Sequence, residues 1–212
     1  MNDLSSYRKE YFHASLNESE VLEDPMLQFH LWLEDALKSK IEEPTAMVLS
    51  TVDEKNQPSS RIVLLKNVDE KGFSFFTNYN SKKAKDIIKN PKGSLLFPWH
   101  EMERQVRVQG VIEKVSEKES DEYFRHRPAG SRIGAWASPQ SEIIPSREYL
   151  EKLERELKEE FVAESIPRPP YWGGYRLIPN LYEFWQGREN RLHDRIEYIY
   201  EKSRWLKRRL AP

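Results

Sequence analysis

The residues best suited to chemistry lie near the C-terminus, in the segment Glu183-Phe-Trp-Gln-Gly-Arg-Glu-Asn-Arg-Leu-His-Asp-Arg195. If its second half is extended, alternation places Arg191, His193 and Arg195 on one face and Leu192 on the other. Three groups that can carry positive charge repel one another when they lie side by side. The pattern therefore favours a site for an anionic or electron-rich ligand. The alternative is a solvated edge strand, where charge is ordinary.

A second cationic group lies at Ser81-Lys-Lys83. Ser81 is a good N-cap, so Lys82 and Lys83 fall in the first turn of a helix, where the helix dipole disfavours cations. This placement is explained if the helix N-terminus and the two lysines hold one anion together. The alternative is a short surface helix, on which lysines are common.

The apolar run Arg61-Ile-Val-Leu-Leu-Lys66 carries a positive charge at each end. In a strand, Ile62, Leu64 and Lys66 share one face. A fourth basic pattern, Tyr123 and Arg127, has helical spacing, and Ser131 follows the Pro128 break. The run Arg61–Lys66 is compatible with an anion site or with a buried strand whose charged ends lie at the edge of the protein core. Tyrosine, arginine and serine around one point predict a phosphate site.

Hydrophobic periodicity predicts the elements that must position these groups. Helices are predicted at 24–41, from Ser81 to just before Pro91, at 116–127 behind a Ser116–Glu119 capping box, and at 147–164 behind Ser146. Strands are predicted at 45–52, 59–68, 73–78, 93–99, 103–115 with a bulge at Gly110, 172–178, 181–186 and 195–210. Antiparallel strands with inserted helices predict an α+β protein built on a β-barrel or a tightly curled sheet. We expect residues 1–23 to be a flexible arm and residues 24–212 to be a single domain.

Composition limits the function classes. A chain of 212 residues can build one sizeable core, and 34 Lys+Arg against 35 Asp+Glu produce no net field for nucleic acid or an anionic membrane. The lack of cysteine excludes disulfides, thiolate metal sites and thiol nucleophiles. No apolar run is long enough to span a membrane and no signal peptide is evident. We therefore expect a soluble, cytoplasmic protein without nucleic-acid or membrane partners.

Several common chemistries have no motif here. The chain has neither a Gly-rich dinucleotide fingerprint nor a Walker loop, and no Gly-x-Ser-x-Gly elbow. The five histidines never have metal-ligand spacing, so we expect no metal site. The basic run Arg204–Arg209 includes Trp205, and in a chain of near-neutral charge it favours a solvated strand face over nucleic-acid binding.

Taken together, the segments resemble the pyridoxine (pyridoxamine) 5′-phosphate oxidase family from about Asp24 to the C-terminus. The best-matching segments are Pro44–Met47, Arg61–Lys66, Ser94–His100, Glu103–Gln105, Ile133–Trp136, Phe184–Gly187 and Arg191–Arg195. The resemblance implies a split β-barrel that works as a homodimer, with two FMN sites at the subunit interface.

The resemblance also implies a role for individual residues. The FMN contacts fall on Arg61, Ile62, Val63, Leu64, Leu65, Lys66, Phe76, Thr77, Lys82, Lys83, Gln105, Gln140, Ser141, Trp185 and Arg195. The substrate contacts fall on Lys66, Tyr123, Arg127, Ser131, Arg191, Leu192 and His193, and on the arm residues Arg8, Lys9, Glu10 and Tyr11, which match a segment that can fold over the substrate. Arg191 and His193 are the implied catalytic residues. The two phosphate sites are thereby assigned, one to FMN and one to the vitamin.

Three positions depart from the family pattern. Lys82 and Lys9 stand where arginine is common, and Phe76 where tyrosine often lies. A lysine keeps the charge but loses the bidentate fork, so FMN affinity is the property in question.

The implied reaction oxidises pyridoxamine or pyridoxine 5′-phosphate to pyridoxal 5′-phosphate by hydride transfer to the flavin. Oxygen is the acceptor and hydrogen peroxide is released, with ammonia from the amine substrate. Two alternatives remain: an oxidase of the phenazine-pathway type with the same flavin site, and a carrier of flavin or pyridoxal phosphate without catalysis. Lys66, Arg127 and Ser131 favour a phosphorylated substrate, and Arg191 and His193 favour catalysis.

Overall fold

The computed structural model describes residues 4, 10–12, 14–161 and 165–212. Within them the α-helices are α1 (Pro25–Lys38), α2 (Lys82–Lys89), α3 (Glu117–Arg125), α4 (Ala129–Ala137) and α5 (Arg147–Glu160). The β-strands are β1 (Ala46–Val52), β2 (Pro58–Leu64), β3 (Asn67–Asp69), β4 (Gly72–Asn78), β5 (Lys92–Trp99), β6 (Arg104–Lys114), β7 (Trp172–Gln186), β8 (Asp194–Glu201) and β9 (Arg204–Leu210). Short 3₁₀ turns lie at His100–Met102 and Glu189–Arg191. The predicted α+β class is confirmed.

The strands form one antiparallel sheet in the order β2-β1-β5-β6-β7-β4-β3, and the β8–β9 hairpin pairs with the far half of β7. β2 and β3 are consecutive in the chain yet lie at opposite ends of this order. Only Leu65 and Lys66 separate them: the Leu65 amide bonds Thr45 on the β1 side, and the Lys66 amide bonds Ser74 on the β4 side. The sheet therefore curls until its two ends meet, which produces the predicted barrel.

Aromatic side chains fill the barrel, with α1 packed against them. Phe29 of α1 lies 4.8 Å from Phe73 and 4.9 Å from Phe97, measured between ring centroids. Trp32 meets Phe184 edge-on at 5.3 Å. Edge-to-face pairs of this kind contribute about 0.5–1.5 kcal/mol each beyond the area they bury. Most of the aromatic side chains therefore pack in the core.

The two strands predicted at 172–178 and 181–186 are one continuous strand, β7. Pro179 lies in its middle and suggested a break. The register between β6 and β7 shifts at Gln109/Gly110, opposite Pro179, so the bulge that was predicted at Gly110 accommodates the proline. The long strand can therefore bend and pair with β4 at one end and β8 at the other.

Three further predictions of strand extent were wrong. The strand predicted at 59–68 breaks at the barrel closure, into β2 and β3. The strand predicted at 195–210 is the β8–β9 hairpin, whose turn residues Lys202 and Ser203 have φ of 50° and 62° without a glycine or asparagine to signal them. Residues 191–193 are not extended: Asn190 and Arg191 have φ of 55° and 61°, and β8 begins at Asp194.

Helix starts were predicted well. Asp24 accepts hydrogen bonds from the amides of Met26 and Leu27, and Ser146 accepts one from Tyr149. Ser116 accepts from the Glu119 amide, but the Glu119 carboxylate binds Arg176 at 2.9 Å, so only half of the capping box forms. α1 ends three residues earlier than predicted and α5 ends at Glu160, while residues 162–164 lie outside the described part of the chain.

The helix α4 was missed. Its sequence contains Gly130 and Gly134, which disfavour helices, and Pro128 precedes it. Tertiary packing decides the outcome: Ile133 joins Phe124, Ile166 and Trp172 in a second apolar cluster beside the barrel.

The segment before α1 was predicted to be a flexible arm, which stays a prediction. In the described part of it, Leu16 and Val21 are buried against the barrel, and the Leu22 carbonyl accepts a 2.6 Å hydrogen bond from the Tyr198 hydroxyl. Among the described residues, no helix has both the length and the apolar character needed to cross a membrane.

Candidate functional site

A pocket of about 850 Å³ opens where β2, the end of β4, α2 and the α3–α4 corner meet. Its volume is in the range usual for sites that bind cofactors or drug-sized ligands, about 300–1,000 Å³. The lining residues are Arg61–Leu64, Lys66, Phe76–Asn78, Lys83, Tyr123, His126–Pro128, Ser131, Gly134, Ala135, Ser138, Gln140 and Trp172. Two groups of cationic side chains face this space.

The first group contains Arg61 of β2. Its Nη1 donates to the Thr51 hydroxyl at 2.7 Å and to the Leu49 carbonyl at 3.3 Å, and its Nη2 donates to the Ser59 hydroxyl. Burial lowers the pKa of this guanidinium, and Asp86 at 3.9 Å partly offsets the effect. Because most of these partners are neutral, Arg61 keeps positive charge available at the pocket.

Lys83 of α2 completes the first group. Its ammonium donates to Thr77 Oγ1 at 3.2 Å, Ser81 Oγ at 3.3 Å and Gln140 Oε1 at 3.0 Å. All three acceptors are neutral, so the bonds orient the ammonium without compensating its charge. Burial, with a smaller contribution from Arg61, lowers the pKa of Lys83 to about 8. An anion in the pocket would reverse this shift.

The second group is built on stacked rings. Phe76 of β4 stacks on Tyr123 of α3 with centroids 3.9 Å apart and an interplanar angle of 13°, and the Trp172 ring lies 5.7 Å from Phe76. Gly174 pairs with Phe76 across the sheet, and a Cβ there would meet the Phe76 ring at 2.7 Å. Glycine at 174 is therefore needed for the stack.

Arg127 lies on this aromatic platform. Its guanidinium carbon is 4.5 Å from the Trp172 ring centroid, a cation–π distance. Nη1 of Arg127 is buried and has no hydrogen-bond partner in the described part of the chain. Burial lowers the pKa of the guanidinium, with Tyr123 as a smaller opposing influence. A buried donor without a partner is costly, so the position is suited to an anionic acceptor.

Lys66 and Ser131 border the same space. Lys66 lies at the barrel closure, and Ser131 lies in the first turn of α4, where backbone amides without helical partners favour anions. The predicted cluster of Lys66, Tyr123, Arg127 and Ser131 is therefore brought together by the fold.

A second region lies on the outward face of β6, β7 and β8. Gln105 pairs with Trp185, and Trp185 pairs with Arg195, so the three side chains form a row across three strands. The buried Glu183 accepts a 2.9 Å hydrogen bond from Arg195 Nε and another from Arg107. These contacts raise the pKa of Arg195, chiefly through its hydrogen bond to Glu183.

His193 lies at the end of this row, before β8. Its ring centroid is 4.6 Å from that of Trp185, and Tyr11 packs edge-on against both rings. Nδ1 of His193 accepts a hydrogen bond from the Arg188 amide at 3.1 Å, so the proton of the neutral imidazole is on Nε2. Burial, aided by Arg191, lowers the pKa of His193. The imidazole is therefore neutral at pH 7, with Nε2 as a donor.

The two regions include residues at opposite ends of one strand. Trp172 lines the pocket and Trp185 lies in the row, and they are separated by thirteen positions of the same strand. A straight strand of that length spans about 40 Å. The bend shortens this span, and β7 still separates Trp172 from Trp185.

The predicted site residues thus divide into distinct sets. The pocket contains Arg61, Ile62, Val63, Leu64, Lys66, Phe76, Thr77, Lys83, Tyr123, Arg127, Ser131 and Gln140. The row and its end contain Gln105, Trp185, Arg191, Leu192, His193 and Arg195, and Tyr11 packs on them. Leu65 points into the core and the exposed Ser141 does not line the pocket. Glu10 is also exposed, and Arg8 and Lys9 lie outside the described residues.

Lys82 departs most from its predicted role, because its ammonium pairs with Asp86 at 3.2 Å and does not line the pocket. Sequence reasoning missed three contributors: Trp172, Asp86 and Glu183. Trp172 is the first residue of a strand, and its spacing from other residues indicates no function. The two carboxylates can be recognised only from their burial beside arginines.

Comparison with known proteins identifies the family of this chain. A model of the family described as pyridoxamine 5′-phosphate oxidase matches residues 33–159, and the pyridoxine 5′-phosphate oxidase C-terminal dimerisation region matches residues 172–212. Relatives in Polynucleobacter asymbioticus and Cupriavidus taiwanensis, both described as pyridoxine/pyridoxamine 5′-phosphate oxidase, are 54% identical over 100% of both chains. The chain belongs to the pyridoxine/pyridoxamine 5′-phosphate oxidase family. It is an oxidoreductase, and its dimerisation region indicates a homodimer.

Solved structures agree on the fold of this oxidase family. PhzG from Burkholderia lata, in complex with tetrahydrophenazine-1-carboxylic acid, matches with a TM-score of 0.87 and 30% identity over 92% of this chain and 95% of that one. An FMN-binding protein from Nostoc punctiforme related to pyridoxamine 5′-phosphate oxidase matches with a TM-score of 0.71 and 16% identity, over 89% and 98% of the two chains. The split barrel is thereby confirmed, and the family points to a flavin cofactor.

Proposed function

We propose that the protein is an FMN-dependent oxidase that converts pyridoxamine 5′-phosphate and pyridoxine 5′-phosphate to pyridoxal 5′-phosphate. Oxygen is the acceptor, hydrogen peroxide is released, and the amine substrate also yields ammonia. The observation that carries the proposal is that one pocket contains two separate cationic groups, since both the cofactor and the substrate bear a phosphate.

Arg61 and Lys83 are the proposed ligands of the FMN phosphate. They fit an anion because their partners are mostly neutral, and because the lowered pKa of Lys83 shows charge held without compensation. Thr77 and Gln140 orient the Lys83 ammonium toward the pocket. The bound phosphate would restore the ordinary pKa of Lys83 and add charge-assisted hydrogen bonds.

Lys66, Tyr123, Arg127 and Ser131 are the proposed ligands of the substrate phosphate. The buried Nη1 of Arg127 provides a donor without a partner among the described residues. The phenol of Tyr123 is a neutral donor, because burial raises its pKa. This group rejects an unphosphorylated ligand, since binding one would leave the buried donor unsatisfied.

The row of Gln105, Trp185 and Arg195 completes the site from the partner subunit. Within one chain, Trp185 of the row and Trp172 of the pocket lie near opposite ends of β7, and the family's dimerisation region contains the two C-terminal members of the row. A dimer with two-fold symmetry can bring the row of each subunit to the pocket of the other. The homodimer then has two equivalent sites at its interface.

The flavin, when bound, supplies a hydride acceptor that oxygen regenerates. The chain's own residues bind and orient. Arg195 and Gln105 present donors to the flavin ring, and Glu183 fixes the Arg195 guanidinium. Arg191 holds the substrate ring, and His193 donates from Nε2 to a polar substituent of that ring. Tyr11, packed on Trp185 and His193, covers this end of the site from water.

The decisive experiment combines cofactor analysis with anaerobic reduction. We expect the purified protein to be yellow, to contain about one FMN per chain, and to lose its flavin absorption when pyridoxamine 5′-phosphate is added without oxygen. Admission of air should restore the colour and produce peroxide. A colourless protein that does not bind added FMN would rule out the proposal, and flavin binding without reduction would indicate a carrier.

An oxidase of the phenazine-pathway type is the second candidate, favoured by the similarity to PhzG. The higher identity of the curated relatives and the unpartnered donor of Arg127 favour the vitamin phosphate. Anaerobic flavin reduction by pyridoxamine 5′-phosphate, but not by pyridoxamine, would distinguish the two. Equal reduction by both would contradict a phosphate-selective site.

A further inference from the structure

Asp86 is a buried carboxylate on α2 that lies behind the first cationic group. It does not line the pocket, yet its oxygens lie 2.8 Å from Thr51 Oγ1, 3.2 Å from Lys82 Nζ and 3.9 Å from Arg61 Nη2. A buried carboxylate is costly unless it is paired and hydrogen-bonded. The sequence comparison assigned no role to this residue.

The hydrogen bonds around Asp86 form a directed chain. The Thr51 hydroxyl has one proton, and it donates that proton to the Asp86 carboxylate. Its oxygen is therefore left to accept, and it accepts from Arg61 Nη1 at 2.7 Å. Asp86 thus determines the direction of the Thr51 hydroxyl, which in turn holds the Arg61 guanidinium at the pocket wall.

Lys82 belongs to the same cluster but faces away from the pocket. An arginine at this position has several donors and could bind Asp86 and a phosphate together, whereas a lysine is a single point charge. In this chain that charge is paired with Asp86. Arg61, Lys82 and Lys83 against one carboxylate leave two net positive charges, which matches a phosphate monoester dianion.

We propose that Asp86 is a positioning residue that acts through Thr51 to orient Arg61 for the FMN phosphate. Lys82 supports Asp86 and does not contact the phosphate, so Arg61 and Lys83 provide the direct contacts. This inference rests on the proposed function, because it concerns the phosphate of the same cofactor.

The test is the affinity of the flavin-free protein for FMN and for riboflavin, which lacks the phosphate, measured by quenching of flavin fluorescence. We expect Asp86→Asn and Thr51→Val to weaken FMN binding by about tenfold and to leave riboflavin binding unchanged. A merely structural role would weaken both ligands equally, and that outcome would overturn the proposal. Thr51→Val changes no charge, so it decides the matter if Asp86→Asn does not fold.

Asp86→Asn also distinguishes a positioning role of Asp86 from a purely electrostatic effect of its charge. If Asp86 only reduced the positive potential of the pocket, its neutralisation would tighten FMN binding, and this result would contradict the proposal. Asp35→Asn is the matched control, since Asp35 pairs with Arg104 at 2.8 Å away from the pocket and its loss should not alter either affinity.

Lys82→Met and Lys83→Met test whether Lys83, and not Lys82, contacts the FMN phosphate. We expect Lys83→Met to weaken FMN binding by at least about tenfold and Lys82→Met by less than about fivefold, as for a partly exposed ion pair. Equal losses would show that Lys82 also contacts the phosphate. Failure of the unaltered protein to bind FMN would overturn the proposed function together with this inference. Normal binding that Asp86→Asn leaves unchanged would overturn the inference alone.

Discussion

The pocket and the C-terminal row compensate their charges in different ways. In the pocket, Lys83 and Arg127 are half-buried cations that lack a carboxylate partner among the described residues, and burial lowers the pKa of both. In the row, Arg195 and Arg107 share the buried carboxylate of Glu183, and the pKa of Arg195 is raised. One region holds uncompensated charge, and the other holds paired charge.

The difference shows what each region selects. Half-buried cations without a carboxylate partner raise the free energy of the empty pocket, and an anionic ligand would offset that cost, so we expect the pocket to select by charge. Paired charges in the row already have their partners, so the row selects by shape and by the direction of its donors. A flavin with a phosphate tail and a flat, neutral ring requires both properties.

The largest expected effect concerns where the two regions meet. Arg127→Leu disables the pocket and Arg195→Met disables the row, so each variant should have little activity. If the sites form between subunits, co-expression of the two variants yields mixed dimers with one intact site. With random pairing, about a quarter of the normal activity should return.

The control pairs two pocket variants, Arg127→Leu with Lys66→Met, which should not rescue each other. Rates are measured as peroxide release from the purified, unsorted mixture of dimers. Activity no higher than that of the separate variants would show that pocket and row belong to one chain's site.

The next effect is the loss of charge selection at the substrate phosphate. Arg127→Leu removes a charge-assisted hydrogen bond worth about 1.5–3 kcal/mol, which corresponds to a loss in kcat/KM of roughly ten- to hundred-fold. FMN affinity should not change, because Arg127 belongs to the second cationic group. Steady-state kinetics and FMN titration measure the two quantities, and an unchanged kcat/KM would exclude Arg127 as a phosphate ligand.

A smaller effect should follow from the pKa of Lys83, which is about 8 in the protein without ligand. Below that pH the ammonium is already charged, and above it FMN binding must take up a proton. FMN affinity should therefore fall above pH 8 by up to about tenfold per pH unit.

Riboflavin affinity should stay constant over the same pH range, and Lys83→Met should abolish the dependence for FMN. Titrations between pH 6.5 and 9.5 provide the measurement. An FMN affinity that rises above pH 8 would contradict the assignment of Lys83.

The smallest effect is expected at His193. The Arg188 amide occupies its Nδ1 and leaves Nε2 as a donor, so we expect His193 to position the substrate without exchanging protons. His193→Asn should raise KM by about three- to tenfold and leave the shape of the pH profile unchanged. Arg191→Met should reduce the rate of flavin reduction more than His193→Asn does. Stopped-flow measurement of flavin reduction at saturating substrate, over a range of pH, tests this order. Slower reduction in His193→Asn than in Arg191→Met would show that the two roles are exchanged.

Much of the fold followed from local signals. The N-caps at Asp24 and Ser146 were predicted because each depends on neighbouring residues, and the bulge was predicted because a glycine marks it locally. α4 was missed because its glycines weaken the helical pattern, and packing of Ile133 supplies the stability. The β8–β9 turn was missed because Lys202 and Ser203 adopt positive φ without the usual residues.

The candidate site, like the fold, was predicted correctly only in part. Tyr123, Arg127 and Ser131 converge as predicted, but not on one helix: α3 ends at Arg125 and not at 127, so Arg127 lies in the α3–α4 corner and Ser131 lies on α4. The alternation assumed for Arg191, His193 and Arg195 was wrong, because Arg191 lies in a turn with positive φ. Lys82 was assigned to the phosphate by position, yet Asp86 binds it, a contact that depends on the burial of that carboxylate.

By itself, the sequence determined the residue types, the local caps, the apolar faces and, through its resemblance, the family. Tertiary structure alone decided which charges are compensated. That outcome depends on distances between groups remote in the chain, such as Glu183 beside Arg107, and on the burial that sets their dielectric surroundings. It also decided that β7 holds Trp172 and Trp185 apart, because Gly110 and Pro179 together let one strand continue where the local pattern signalled a break.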